Sequence, residues 1–78
     1  MNEPRRKVID NIINALAGLQ TDIEFVTSEE EDALESVPGG LQDGERGQKM
    51  QEAIDDLESA VDSIGEAIAY LEAAKVNE

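Results

Sequence analysis

The stretch Ala53-Ile54-Asp55-Asp56-Leu57-Glu58-Ser59-Ala60-Val61-Asp62-Ser63-Ile64-Gly65-Glu66-Ala67-Ile68-Ala69-Tyr70-Leu71 decides the fold. Its apolar residues, counted from Met50 through Ile54, Leu57, Val61, Ile64, Ile68 and Leu71, recur at alternating intervals of four and three. That is the rhythm of one helix face and not the two-residue alternation of a strand. A second column, Ala53, Ala60, Ala67 and Ala74, runs beside the first at intervals of seven. Together they make a stripe wider than a two-stranded seam requires, as on a bundle helix that touches more than one neighbour. The alanines allow close backbone approach. Gly65 falls mid-helix, where glycine costs about 1 kcal/mol relative to alanine; close approach of another helix is the reason we expect for it.

Upstream, Ile9, Ile12, Leu16, Leu19, Ile23 and Val26 keep the same heptad rhythm, which continues weakly through Glu30, Ala33 and Val37. Pro4 suits a first helical turn, with Asn2 or Glu3 as cap. Ser28 and Glu31 spell a capping box, so either one helix runs through Thr27-Ser28 or a short second helix starts there; the absence of Gly and Pro favours the continuous form. Pro38-Gly39-Gly40 ends the helix, and Asp43 is the expected N-cap of the next. The sequence therefore predicts one domain, 1–78, with helix 1 over about 4–37, a loop over 38–44 and helix 2 over about 45–75. The two seams are equally long and the loop is short, so the helices should pack antiparallel as a coiled-coil-like hairpin, roughly 45–50 Å long at about 1.5 Å per residue. A lone hairpin leaves half of each stripe wet. The expected fold is thus an all-α, antiparallel two-helix hairpin assembling into a helical-bundle oligomer, with a dimeric four-helix bundle the simplest case.

Composition narrows the chemistry. The 78 residues include 19 acidic and 6 basic ones, no histidine and no cysteine, for a net charge of −13. A chain this short has little core of its own, and disulfides and thiolate or imidazole metal sites are excluded. The carboxylate-rich helices lack the Glu-x-x-His pair of di-iron bundles and the calcium-loop pattern, so no metal and no cofactor is expected. The serines have no histidine base, and Gly39-Gly40 and Gly44-x-x-Gly47 lack the context of a phosphate loop, so no enzyme is expected. No apolar run is long enough to span a membrane and no secretory signal opens the chain, which points to a cytoplasmic protein. The charge repels nucleic acid and favours a partner with a basic surface.

Three groups of residues are candidates for contact. The run Glu29-Glu30-Glu31-Asp32, with Glu35, would serve either as a docking surface for a basic protein, imitating a row of phosphates, or as a solvated face that keeps an oligomer soluble. Asp55, Asp56, Glu58, Asp62 and Glu66 form a second acidic band. Arg5, Arg6, Lys7, Arg46 and Lys49 cluster at helix N-termini, where positive charge opposes the helix dipole. They would either pair across the hairpin, Arg5 to Lys7 with Glu72 and Glu78, and Arg46 and Lys49 with Glu35 or Asp32, or bind an anion such as a nucleotide phosphate. Phe25 and Tyr70 lie off the seams and would pack between hairpins, anchor a partner or stack a base.

The segment Leu41-Gln42-Asp43-Gly44-Glu45-Arg46-Gly47-Gln48-Lys49-Met50-Gln51-Glu52-Ala53-Ile54, running into the Ala-x-x-x-Leu-Glu repeats, resembles small acidic helical-hairpin proteins encoded by phages and prophages of Gram-positive bacteria. The resemblance covers about residues 29–74. It implies an accessory phage protein that inhibits host machinery or defence in the bacterial cytoplasm. Arg46 followed by Leu57-Glu58-Ser59-Ala60 is also similar to phage hairpin proteins that form rings and sequester nucleotide immune signals. This chain lacks the tryptophan common in their second helix, and no binding residue is carried over. Three functions follow as expectations: an acidic inhibitor of a nucleic-acid-handling or defence protein, an oligomeric nucleotide sponge, or a structural scaffold.

Overall fold

A computed structural model describes residues 1–41 and 43–77. Helix α1 spans Glu3–Glu35, a 3-10 turn covers Gly39–Leu41, and helix α2 spans Glu45–Val76. The two helices pack against each other, and the described residues contain no strand. Their shape is a slab of 58 × 16 × 11 Å. The short dimension is that of one helix, so both broad faces of the hairpin are bare.

The ends of α1 follow from local chemistry. Asn2 is extended and its side chain accepts a hydrogen bond from the Arg5 amide, with Pro4 in the first turn. The helix runs unbroken through Thr27-Ser28, and the Thr27 hydroxyl donates back to the Ile23 carbonyl at 2.8 Å within it. It stops at Glu35, two residues before the predicted end. Pro38 disfavours helical geometry at Val37, and the Ser36 amide and hydroxyl both close onto the Asp32 carbonyl. No described glycine takes a left-handed conformation. Gly39 and Gly40 therefore form a 3-10 turn, with the Leu41 amide bound to the Pro38 carbonyl at 2.7 Å, and are not the helix terminator that the sequence suggests. The expected cap Asp43 is also corrected. Gly44 caps α2 with no side-chain hydrogen bond, and Asp43 instead offers its carbonyl to the Gln48 amide group.

Two contacts set the register. The Arg6 Nε donates to the Lys75 carbonyl and the Gln20 Nε2 to the Val61 carbonyl, each at 3.1 Å. Moving fourteen residues up α1 thus moves fourteen down α2, so the pairing is antiparallel without slippage. On α2 the column turned toward α1 is Gly47, Met50, Ile54, Leu57, Val61, Ile64, Ile68, Leu71 and Lys75, with Ala60, Gly65, Ala67 and Ala74 half-buried at its edges. On α1 it is Arg6, Ile9, Ile13, Leu16, Gln20, Ile23, Thr27, Glu30 and Leu34, and Val37 beyond its end is half-buried as well.

The α1 seam differs from the expected one. Ile9, Leu16 and Ile23 do face α2, but the column beside them is Ile13, Gln20, Thr27 and Leu34. Ile12, Leu19 and Val26 remain outside, at 43%, 51% and 49% exposure. Both columns share Ile9, Leu16 and Ile23, and sequence apolarity selects the one that the hairpin leaves out. The inward polar groups are satisfied: Gln20 by Val61 and Thr27 by Ile23. Gly65 makes room for Gln20, since a Cβ there would stand 3.3 Å from the amide nitrogen. Its close neighbour is thus a side chain of α1, reaching across the seam.

Gly18 has no such duty, because a Cβ at that position meets nothing within 4 Å. Gly18→Ala is expected to stabilise the hairpin by up to about 1 kcal/mol from helix propensity alone, a rise in Tm of about 4–8 °C for a domain of this size. Thermal circular dichroism checks this, and an unchanged or lower Tm would mean that Gly18 is in contact with something outside the hairpin.

Candidate functional site: an acidic face and an apolar face

Two antiparallel helices are related by a two-fold axis normal to the plane of the hairpin. That axis carries a position on one helix to the same broad face at the other. Residues immediately preceding the inward column Ile13, Gln20, Thr27 and Leu34 on α1 therefore share a face with those preceding Ile54, Val61, Ile68 and Lys75 on α2. The first set is Ile12, Leu19, Val26 and Ala33; the second is Ala53, Ala60, Ala67 and Ala74. One face is thus apolar along its middle, with large side chains on one helix and methyl groups on the other, and Arg5 and Arg46 stand at its two ends. An open depression at its turn end is lined by Ala33, Val37, Pro38, Leu41, Glu45 and Arg46, and a neighbouring one by Glu30, Glu45, Arg46, Lys49, Met50 and Ala53.

The opposite face carries the residues that follow the inward positions. Asp10, Ala17, Glu24 and Glu31 come from α1, and Gln51, Glu58, Gly65 and Glu72 from α2. A groove there is lined by Glu24, Thr27, Ser28, Glu31, Glu58, Val61 and Asp62, and continues past Leu34, Glu35, Gln51 and Ile54. Five carboxylates line this groove and no cation does. A concave surface of one sign over low-dielectric walls concentrates the field, so the groove attracts positive charge more strongly than the same residues would on a flat surface.

The predicted acidic run does not form one surface. Successive helical residues turn by about 100°, so four in a row encircle most of the helix. Glu31 and Glu35 reach the acidic groove, and Glu30 is half-buried on the other side near Arg46 and Lys49. Glu29 and Asp32 are exposed on the remaining sides. Glu24 was not singled out in the sequence, although its place seven residues before Glu31 was available as a signal. Of the second acidic band, Glu58 and Asp62 line the groove.

The cations have partners other than those expected. Lys75 forms the cross-hairpin ion pair, with Asp10, and that hydrogen bond holds its ammonium pKa above the ordinary lysine value. Arg6 reaches the α2 C-terminal carbonyl of Lys75 and approaches Glu3 at 3.9 Å; Lys49 pairs with Glu45 within α2 at 3.1 Å. These side chains meet a nearby carboxylate or a free helix carbonyl, and Glu72 acts on Lys75 through its charge alone. The expected partner Glu78 lies outside the described residues. Arg5, Lys7 and Arg46 make no ion pair among the described residues. Arg5, Arg6 and Lys7 stand at the opposite end of the 58 Å slab from Arg46 and Lys49. One chain therefore cannot close all five around a single small anion, and Glu30 and Glu45 sit among the second group.

Phe25 and Tyr70 are 67% and 77% exposed. Phe25 stands on the outer ridge of α1, and Tyr70 on the apolar side of α2. The described residues hold no group of three carboxylates placed to bind a metal ion, and no described helix is long and apolar enough to cross a membrane. Comparison with protein-family models, with curated proteins and with solved structures gives no match, so function rests on the two faces themselves.

Proposed function

We propose that this chain is a non-enzymatic binding protein that docks the basic surface of another protein on its acidic face and assembles with copies of itself, as a helical-bundle oligomer, through its apolar face. The observation that carries the first half is the groove of Glu24, Glu31, Glu35, Glu58 and Asp62, which holds no compensating cation. Carboxylates seven residues apart on one helix are spaced about 10 Å, so Glu24 and Glu31 set negative charges in a row along the groove. A protein that grips phosphates with Lys and Arg would find a comparable charge row here. The resemblance to phage-encoded hairpins extends the proposal to inhibition of a bacterial nucleic-acid-handling or defence protein, in the host cytoplasm.

Self-association is supported by the thinness of the slab and by the exposed Ile12, Leu19 and Val26. Large contiguous apolar patches on a small soluble chain mark interaction surfaces.

The test is capture of basic proteins from a bacterial lysate by the wild-type chain and by a Glu24→Lys/Glu31→Lys/Glu58→Lys variant. The wild type should retain a discrete partner that elutes with rising salt, and the variant should lose it at unchanged helical content. Equal capture by both would overturn the docking surface.

A further inference from the structure

We infer that a second copy of this chain covers the apolar face with its turn at the opposite end, so that α1 lies along the partner's α1 and α2 along the partner's α2. This rests on the self-association proposed above and specifies its geometry.

The choice of occupant begins with the seam. Within one chain α1 turns Gln20 and Thr27 inward and leaves Leu19 and Val26 out. Transfer energetics favour the reverse, since burial of a Leu or Val side chain stabilises by about 1.5–3 kcal/mol. An arrangement that leaves the more apolar column outside is favourable when that column is buried as well. The outward column has its own heptad partner column, so α1 carries a second seam, Val8, Ile12, Ala15, Leu19 and Val26, at intervals of four, three, four and seven, with Asp22 in the position between Leu19 and Val26. A helix with two adjacent seams packs against two helices.

That second seam is complementary to itself when reversed. Centred between Ala15 and Leu19, an antiparallel pair sets Leu19 over the partner's Ala15, Val8 over the partner's Val26, and Arg5 opposite the partner's Glu29. The register of the hairpin then lays α2 against its own copy about a centre between Ile64 and Ile68. On α1 Leu19 meets a small residue, and Arg5, which makes no ion pair among the described residues, meets an exposed glutamate. Ile12 falls beside Asp22 at the rim, where the carboxylate keeps its water. A slip of one heptad in one direction sets Ile12 against Glu29 and Arg5 against Ser36; in the other it carries Val26 past the first turn of the partner.

Charge decides the orientation between the two ways of placing one apolar face on another. At its turn end the apolar face carries Arg46 and Lys49 beside Glu29 and Glu30, and at its terminal end it carries Arg5. With turns at opposite ends, Arg5 meets the partner's Glu29 on both sides of the two-fold. With turns at the same end, Arg5 falls level with the C-terminus of the partner's α2 and that pair is lost. The contact is isologous and closes at two copies, leaving both acidic grooves facing outward on opposite sides of a four-helix bundle.

The chain has no cysteine, which permits a direct test. Native mass spectrometry should show a dimer for the wild type and for Glu58→Lys, whose change lies on the other face. Leu19→Glu should weaken association by at least about 30-fold, the loss seen when an interface anchor is removed. Chains carrying Val8→Cys mixed with chains carrying Val26→Cys should oxidise to a mixed disulfide dimer, while Val8→Cys mixed with Ala74→Cys should not. A monomeric wild type would overturn both self-association and this geometry. A disulfide between the Val8→Cys and Ala74→Cys chains would place the two turns at the same end, and would overturn the geometry while leaving self-association standing.

Discussion

Replacing Ile54 is expected to remove most of the stability of the hairpin. Ile54 is 3% exposed and is the one hydrophobic side chain among the described residues that is fully turned from solvent; its buried companions are Thr27 and Gly47. Truncation of a buried isoleucine to alanine costs about 2–5 kcal/mol, part from lost transfer and part from the cavity left behind. A domain of this length has roughly 4–12 kcal/mol in total at the usual per-residue stability, and a core this small supports the low end. Ile54→Ala should therefore lower Tm by about 10–25 °C. Ile54→Asp, which adds the cost of a buried unpaired carboxylate, should abolish the helical signal at 25 °C. Val76→Ala, at 78% exposure, should change stability by less than about 0.5 kcal/mol. Far-UV circular dichroism melts on the three variants check this. Equal effects at Ile54 and Val76 would mean that the helices are not held by the seam centred on Ile54. Because association adds to stability by mass action, the melts belong at one fixed protein concentration.

How much of this was legible depends on how many competing patterns a helix carries. On α2 the apolar residues define one pair of columns, and the alanine column is too small to be mistaken for a core. Met50 through Leu71 could thus be placed from spacing alone. On α1 two columns compete for the place beside Ile9, Leu16 and Ile23. Ile12, Leu19, Val26 and Ala33 are the more apolar, and Ile13, Gln20, Thr27 and Leu34 are the ones that face α2. Apolarity ranks columns by how much they gain from burial, but it does not say which surface buries them. Nor does it register that Gln20 reaches the Val61 carbonyl, or that Gly65 leaves space for it. That one-column error moved the acidic site too. A carboxylate's face is read relative to the seam, and with the seam displaced, the consecutive run Glu29 to Asp32 looked like a surface while Glu24, Glu31 and Glu58 did not. Once the inward column is known, the acidic face follows from the sequence without further information. The turn misled for a different reason: Pro38 acts backward on Val37, so the helix closes on Ser36 before the glycines are reached.

The second large effect is a rise in stability with salt. The chain has 19 acidic and 6 basic residues, and its described side-chain ion pairs are Arg6–Glu3, Lys49–Glu45 and Lys75–Asp10. Exposed pairs of this kind contribute about 0–1 kcal/mol each, so the attraction that salt can remove is small. The repulsion that it can remove is larger. Carboxylates one heptad apart, about 10 Å, repel by about 0.4 kcal/mol in bulk-water dielectric, and the groove brings several such neighbours together from both helices. At 0.01 M salt the Debye length is about 30 Å and these neighbours all interact; above 0.15 M it is under about 8 Å and they are largely screened. The unfolded chain is also acidic, which halves the difference or more. The expected net gain between 0.01 and 0.5 M salt is on the order of 1–2 kcal/mol, or about 5–15 °C in Tm for a domain of this size. A Tm that falls with salt would show that the ion pairs outweigh the groove. The same repulsion is what a cationic partner would relieve. A basic peptide added at 0.01 M should raise Tm as salt does, and Glu24→Lys/Glu31→Lys/Glu58→Lys should remove both gains together, since one row of carboxylates is the source of each.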